Sequence, residues 1–239
     1  MRTKVLVAFV LLIIPAIQEG KREEIVYLYD IIVYNNIENL NLWRRKMNWI
    51  DEVSLKLKKK NQVLFSKSSE YMQDLIKLFE IQNHRVMALW AFDFASESIA
   101  KFEEKYPEEK RPREALEKAK DWASGKIKMH LAQRKILDCH AVTKEMENKE
   151  DIAICHSIGQ ACAVVHTARH AIGYALYDLT ALIYKYGIEN CKDVVEQRKQ
   201  EYIEKIRYWN EHLCDYQGIW ADFMPVSYTH LTLPTNREV

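Results

Sequence analysis

Residues that interrupt helices are scarce in this 239-residue chain, which holds only 6 Gly and 5 Pro. No stretch alternates apolar and polar residues over the length of a strand, and no hairpin turn is recognisable. These absences argue against a β-sheet protein. Apolar residues instead recur three and four positions apart between charged residues, which is typical of amphipathic helices. We predict an all-α fold, a bundle of roughly six or more helices.

The chain also lacks an excess of charge of either sign. It has 35 Lys and Arg against 34 Asp and Glu, a formal net charge of +1. A protein that binds nucleic acid usually shows a basic excess or a basic stripe. The balance therefore predicts no nucleic-acid partner, and it equally argues against a strongly acidic mimic of nucleic acid.

Paired cysteines are missing as well. The five cysteines are an odd number and include no close CxxC pair, whereas disulfide frameworks use even counts and structural zinc sites use paired cysteines. We interpret them as reduced, mostly buried thiols, which predicts a cytoplasmic protein.

The two ends of the chain differ from the helical pattern between them. Residues 4–17 resemble a signal peptide, with a basic start and a 13-residue apolar run that is too short for an ordinary transmembrane helix. We assign residues 1–67 as an N-terminal extension of unassigned role, and a membrane partner is expected only if residues 4–17 act as a signal. Residues 226–239 resemble the translation of a sequencing adapter and are excluded as non-native. This leaves residues 68–225 as the predicted all-α domain.

The centre of this domain is the Ala- and Gly-rich stretch of residues 151–186. Small side chains at this density let neighbouring helices approach closely. As one helix the stretch would span about 54 Å, so we predict a break or bend near Gly159 or Gly173. A following helix is predicted to be capped by Asn190.

Three histidines are candidates for chemistry. His166 and His170 are four residues apart and are predicted to share one helical face. Either His140 or His156 is a candidate to complete a trio, although His156 points away from His166 on an ideal helix. A helical bundle can build a metal site from such residues, which gives one hypothesis, a metal-dependent enzyme. However, no HExxH motif is present. We therefore favour histidines satisfied inside the core, and predict no metal and no cofactor.

Further candidates are two arginines and two tryptophans. Arg111 and Arg113 have the geometry to bind a carboxylate or phosphate, although such arginines more often pair with nearby glutamates. Trp90, with Asp93 nearby, and Trp122 are expected to be packing anchors. No glycine-rich phosphate loop, nucleophile elbow or dinucleotide fingerprint occurs, so no catalytic residue is predicted.

Four blocks of sequence resemble a known family. They are ALWAFDFA, FEEKYPEEKRPREALEKAKDWASGKIKM, DCHA and ACAVVHTARHAIGYALYDLTALI, at residues 88–95, 102–129, 138–141 and 161–183. In order and spacing they resemble the immunity protein 5-like family of bacterial polymorphic toxin systems, over about residues 82–223.

The resemblance implies a cytoplasmic, non-enzymatic all-α domain that binds and neutralises a cognate protein toxin by occlusion. It implies partner-binding or buried polar roles for the candidates that match the family's blocks: Trp90, Asp93, Arg111, Arg113, Trp122, His140, His166 and His170. Two alternatives remain beside it. One is the metal-dependent enzyme that uses His140, His166 and His170, and the other is a structural helical protein without a small-molecule site.

Overall fold

The computed structural model describes residues 48–224. This part of the chain contains eight α-helices and no strand, which confirms the predicted all-α bundle. The helices are α1 Trp49–Lys58, α2 Glu70–Glu80, α3 His84–Lys105, α4 Arg111–Ala123, α5 Met129–Ala141, α6 Lys149–Ala163, α7 His170–Tyr186 and α8 Lys192–His212, with short 3-10 helices at Val142–Glu145 and Leu213–Asp215. The signal-like residues 4–17, the rest of the extension up to residue 47, and the adapter-like residues 226–239 lie outside the described residues.

Helix ends follow local sequence signals at several points. Asn83 caps α3, since its side-chain oxygen accepts from the backbone N–H of Arg85 at 2.8 Å. Pro112 lies in the first turn of α4, where its missing N–H costs no helical hydrogen bond. The predicted cap at Asn190 is wrong, because α8 begins at Lys192 with Cys191 as its N-cap.

The central stretch breaks, but at neither predicted glycine. Helix α6 ends at Ala163 and α7 begins at His170, so the break lies in the turn of residues 164–169. Gly159 and Gly173 are helical and serve close approach instead. A Cβ on Gly159 would lie 2.5 Å from the His140 ring, and one on Gly173 would lie 2.3 Å from the Gln160 side-chain oxygen.

The core is organised around α3 and the antiparallel neighbours α6 and α7. Helices α6 and α7 share the most extensive interface, and α3 packs against α4, α6, α7 and α8. Trp90 is fully buried at the centre of α3, with ring centroids 4.9 Å from Phe79, 5.4 Å from Tyr174 and 5.6 Å from Tyr202. Aromatic side chains therefore fill the space between α2, α3, α7 and α8.

Helix α1 and the loop after it contact the same core. Trp49 is buried with its ring centroid 5.2 Å from that of Tyr71, and the backbone N–H of Leu64 donates to the Thr180 hydroxyl at 3.0 Å. Trp49 and the described residues after it form one compact unit. The domain start at residue 68 stays a prediction, and we propose that the domain extends back at least to Trp49. None of the helices between residues 48 and 224 combines the length and apolarity required to cross a bilayer.

Candidate functional site

Two histidines meet where α5 packs against α6. His140 Nδ1 and His156 Nδ1 are 3.0 Å apart, and Gln62, in the loop between α1 and α2, places its Nε2 2.7 Å from His156 Nε2. The His140 and His156 ring centroids are 5.3 Å apart, close to the largest separation that 3.0 Å between the nitrogens allows. The nitrogens therefore face each other head-on. This is hydrogen-bond geometry, in which one nitrogen carries the proton and the other offers its lone pair.

Burial keeps this pair uncharged. Burial and the neighbouring His156 and His170 lower the pKa of His140 to about 4, and burial lowers the pKa of His156. Both rings are therefore neutral at pH 7, so that one of the two facing nitrogens is free to accept. The pair is fixed from both sides, since the His140 ring lies over Gly159 and the Tyr177 ring centroid is 4.9 Å from that of His156.

His166 and His170 do not share a helical face. The chain turns at residues 164–169, so that His166 lies in the turn and His170 is the first residue of α7. His170 Nδ1 is 2.8 Å from Gln160 Oε1. The His166 ring lies against Trp122, with centroids 4.6 Å apart, and its two buried nitrogens have no hydrogen-bond partner. Burial lowers the pKa of both histidines.

The structure does not bring His140, His166 and His170 together as a set of metal ligands. His140 pairs with His156, whereas His166 and His170 contact Trp122 and Gln160. Between residues 48 and 224, no group of three or more His, Cys, Asp or Glu side chains is arranged to hold a metal ion.

Both candidate arginines are paired within the protein. Arg111 binds Glu109 and Glu145, with its Nη1 2.7 Å from Glu145 Oε1. Arg113 binds Glu103 through two nitrogens, its Nε lying 3.0 Å from Glu103 Oε1. These bonds lower the pKa of Glu103 and Glu109. An anionic ligand would have to displace these carboxylates. Because Glu103 lies on α3 and Glu145 on the 3-10 helix after α5, the two arginines join these elements to α4.

The remaining candidates occupy different depths. Trp90 is a core residue whose Nε1 donates to the Tyr202 carbonyl at 3.1 Å. Asp93 reaches the surface, where it accepts from Trp209 Nε1 at 2.9 Å and pairs with Lys205 at 3.2 Å. Trp122 is partly buried with Phe223 stacked on it, their ring centroids 4.6 Å apart.

Arg198, which the sequence argument did not select, forms ion pairs with three carboxylates. Its Nε donates to Asp178 Oδ2 at 2.7 Å, and its other nitrogens bind Tyr174, Glu97 and Glu201. Arg198 and Asp178 are among the residues that line a cleft of about 350 Å³ between α3, α6, α7 and α8. The available signal was a charged residue at a buried helical position, between Val195 and Tyr202 on the apolar face of α8.

Comparison with known proteins decides the family. The family model described as Imm-5 like putative immunity protein matches residues 77–205, more than half of the chain. The chain belongs to this Imm-5-like family. The resemblance seen in the sequence is thereby confirmed. Neither the curated proteins nor the solved structures include a match to the chain.

The Imm-5-like region runs from the end of α2 into α8. It contains all eight candidate residues, and it also contains the His140–His156 pair and the Arg198–Asp178 pair. Gln62 lies before it, in the loop that leads from α1 to α2. The family region therefore carries both of these pairs, while Gln62, on its N-terminal side, adds a partner for His156.

Proposed function

We propose that this Imm-5-like protein binds a cognate protein toxin and neutralises it by occlusion, without catalysis of its own. The observation that carries the proposal is the family match over residues 77–205. The internal pairing of Arg111, Arg113 and Arg198 supports it, because these charges stabilise the fold and are not held free for a substrate.

For the contact surface we propose the outer face of α3 and α8. Tyr208 is exposed, and its ring stacks on His212 with centroids 4.3 Å apart. Trp209 lies beside it, held by Asp93 through the indole nitrogen. Aromatic side chains fixed before binding lose little conformational freedom in a complex, and such residues dominate binding energy. The charged neighbours Glu204 and Lys205 supply the polar rim of a standard interface of about 800 Å² per partner.

The test uses the toxin candidates encoded beside the gene for this protein. Each is expressed with the full chain, and rescue of growth and affinity of the purified pair are measured. We expect rescue by the wild-type chain, and a loss of at least about 30-fold in affinity for Tyr208→Ala with Lys205→Glu, as for an interface hot spot. The matched control is Leu137→Ala, an exposed apolar residue on α5, which should bind normally.

The outcomes separate the function from the surface. If no candidate toxin is bound or neutralised, toxin immunity is rejected. If the wild-type chain neutralises a toxin and the α8 variant does so equally well, the function stands and the α3–α8 face is rejected.

A further inference from the structure

The Gln62–His156–His140 chain joins three elements that are separate in sequence. Gln62 lies in the loop of residues 59–69, His156 on α6 and His140 near the end of α5. Leu64 and Phe65, later in the same loop, are held independently by burial in the core. The contact with His156 therefore acts on residues 59–63, the part of the loop that precedes these anchors, together with the Tyr184 hydroxyl, which donates to the Asn61 carbonyl at 3.3 Å.

This chain of bonds depends on protonation. The Gln62 amide nitrogen can only donate, so His156 Nε2 is the bare acceptor, and His156 Nδ1 carries the proton that it donates to His140 Nδ1. With one proton added, the facing nitrogens still have one donor and one acceptor. With both rings protonated, two N–H groups point at each other across 3.0 Å and the contact becomes repulsive.

Among residues 48–224, the groups that act on the pair are neutral or basic. From α7, His170 and Tyr177 face the pair, and Lys67 of the loop acts on His170. The uncharged Gln160 of α6 binds His170. Helix α4 also packs on α5, but it directs Glu114 to Lys135. None of the groups that shift the pKa of His140 or His156 is a carboxylate.

We propose that the Gln62–His156–His140 chain is an acid-sensitive latch, which holds residues 59–63 against α6 at neutral pH and releases them when both imidazoles are protonated. The direction follows from linkage. A histidine in an open or unfolded chain takes its proton near pH 6.5, whereas burial lowers the pKa of both latch histidines, that of His140 to about 4. The open state therefore binds more protons in this window. The closed state is fully favoured above about pH 6.5 and is progressively lost as the pH falls towards about 4.

Hydrogen exchange of the full chain at pH 7.5 and pH 4.5, corrected for intrinsic exchange rates, tests the latch. The amides of Lys59, Lys60 and Asn61 donate to the carbonyls of Leu55, Leu57 and Lys56 at the end of α1. Their protection therefore reports whether this last turn stays formed when residues 59–63 are released from α6. We expect protection of residues 59–63 to fall at least about fivefold at pH 4.5, while α3 stays protected. Gln62→Ala should show the reduced protection already at pH 7.5. This substitution is at an exposed position, so the fold is retained.

Two further variants separate the latch from a general effect of acid. His140→Gln with His156→Gln should abolish the extra acid response, because neither glutamine titrates. His130→Gln, an exposed histidine on the same helix as His140, should leave the acid response unchanged. The latch is rejected if wild-type residues 59–63 are equally protected at both pH values. It is also rejected if the double glutamine variant keeps the acid response or if Gln62→Ala leaves the loop fully protected.

Discussion

Replacing Arg198 with Met is expected to lower the free energy of unfolding by about 3–5 kcal/mol, because it leaves a buried carboxylate without its counter-charge. The Arg198 and Asp178 side chains are only 10% and 11% exposed, and their ion pair is 2.7 Å long. The Tyr202 hydroxyl also donates to Asp178 at 2.5 Å and would be the main remaining partner of that carboxylate. Urea unfolding followed by circular dichroism measures the loss.

Two comparisons isolate the charge. Arg207→Met removes an exposed arginine from the same helix and should change stability by less than about 0.5 kcal/mol. Adding Asp178→Asn to Arg198→Met removes the stranded charge but keeps an acceptor for Tyr202, so the double variant should be more stable than Arg198→Met alone. A cost below about 1 kcal/mol for Arg198→Met would contradict this account.

Trp90→Ala is expected to destabilise the protein by about 3–5 kcal/mol, through lost burial and the cavity left among Phe79, Tyr174 and Tyr202. Trp90→Phe retains most of the apolar contact and loses the hydrogen bond to the Tyr202 carbonyl, so its cost should be smaller. Chemical unfolding of both variants provides the measurement, with exposed Tyr208→Ala as the aromatic control.

The same series tests the role of Trp90. As a core residue it should influence toxin binding only through folding, so folded Trp90→Phe should bind with wild-type affinity. Reduced affinity of a fully folded Trp90→Phe protein would instead place this side chain in the partner-binding surface. A loss below about 2 kcal/mol for Trp90→Ala would contradict the packing described here.

The fold was predictable because its signals are local. The scarcity of Gly and Pro and the helical spacing of apolar residues predict a helical bundle. Pro112 lies in the first turn of α4, a position at which proline is favourable. All four sequence blocks that resemble the Imm-5-like family lie in the segment that the family model matches. These inferences need only residues that are near one another in the chain.

The contacts between helices were not predictable in the same way. The sequence pattern does not identify the partner of His156, which points away from His166 on an ideal helix. In the structure it lies 3.0 Å from His140, 16 residues earlier on another helix. Gly159 is one of the two positions at which the sequence predicts a break or bend, whereas in the structure its lack of a side chain makes room for the His140 ring. Periodicity assigns a residue to a face of its own helix, but not to the side chain it meets across the interface.

The turn at residues 164–169 also bears on the order in which the protein folds. It lets α6 and α7, neighbours in sequence, form the most extensive interface of the bundle after closing only a short loop. Short loop closure costs little chain entropy, so we infer that this hairpin forms early and that the distant contacts of Trp49 form late.

Ile158→Val should then slow folding with a φ-value above about 0.5, while Trp49→Phe should mainly accelerate unfolding. Stopped-flow kinetics showing the reverse pattern would exclude this order. The segment that breaks in two would thus be the one on which the rest of the bundle assembles.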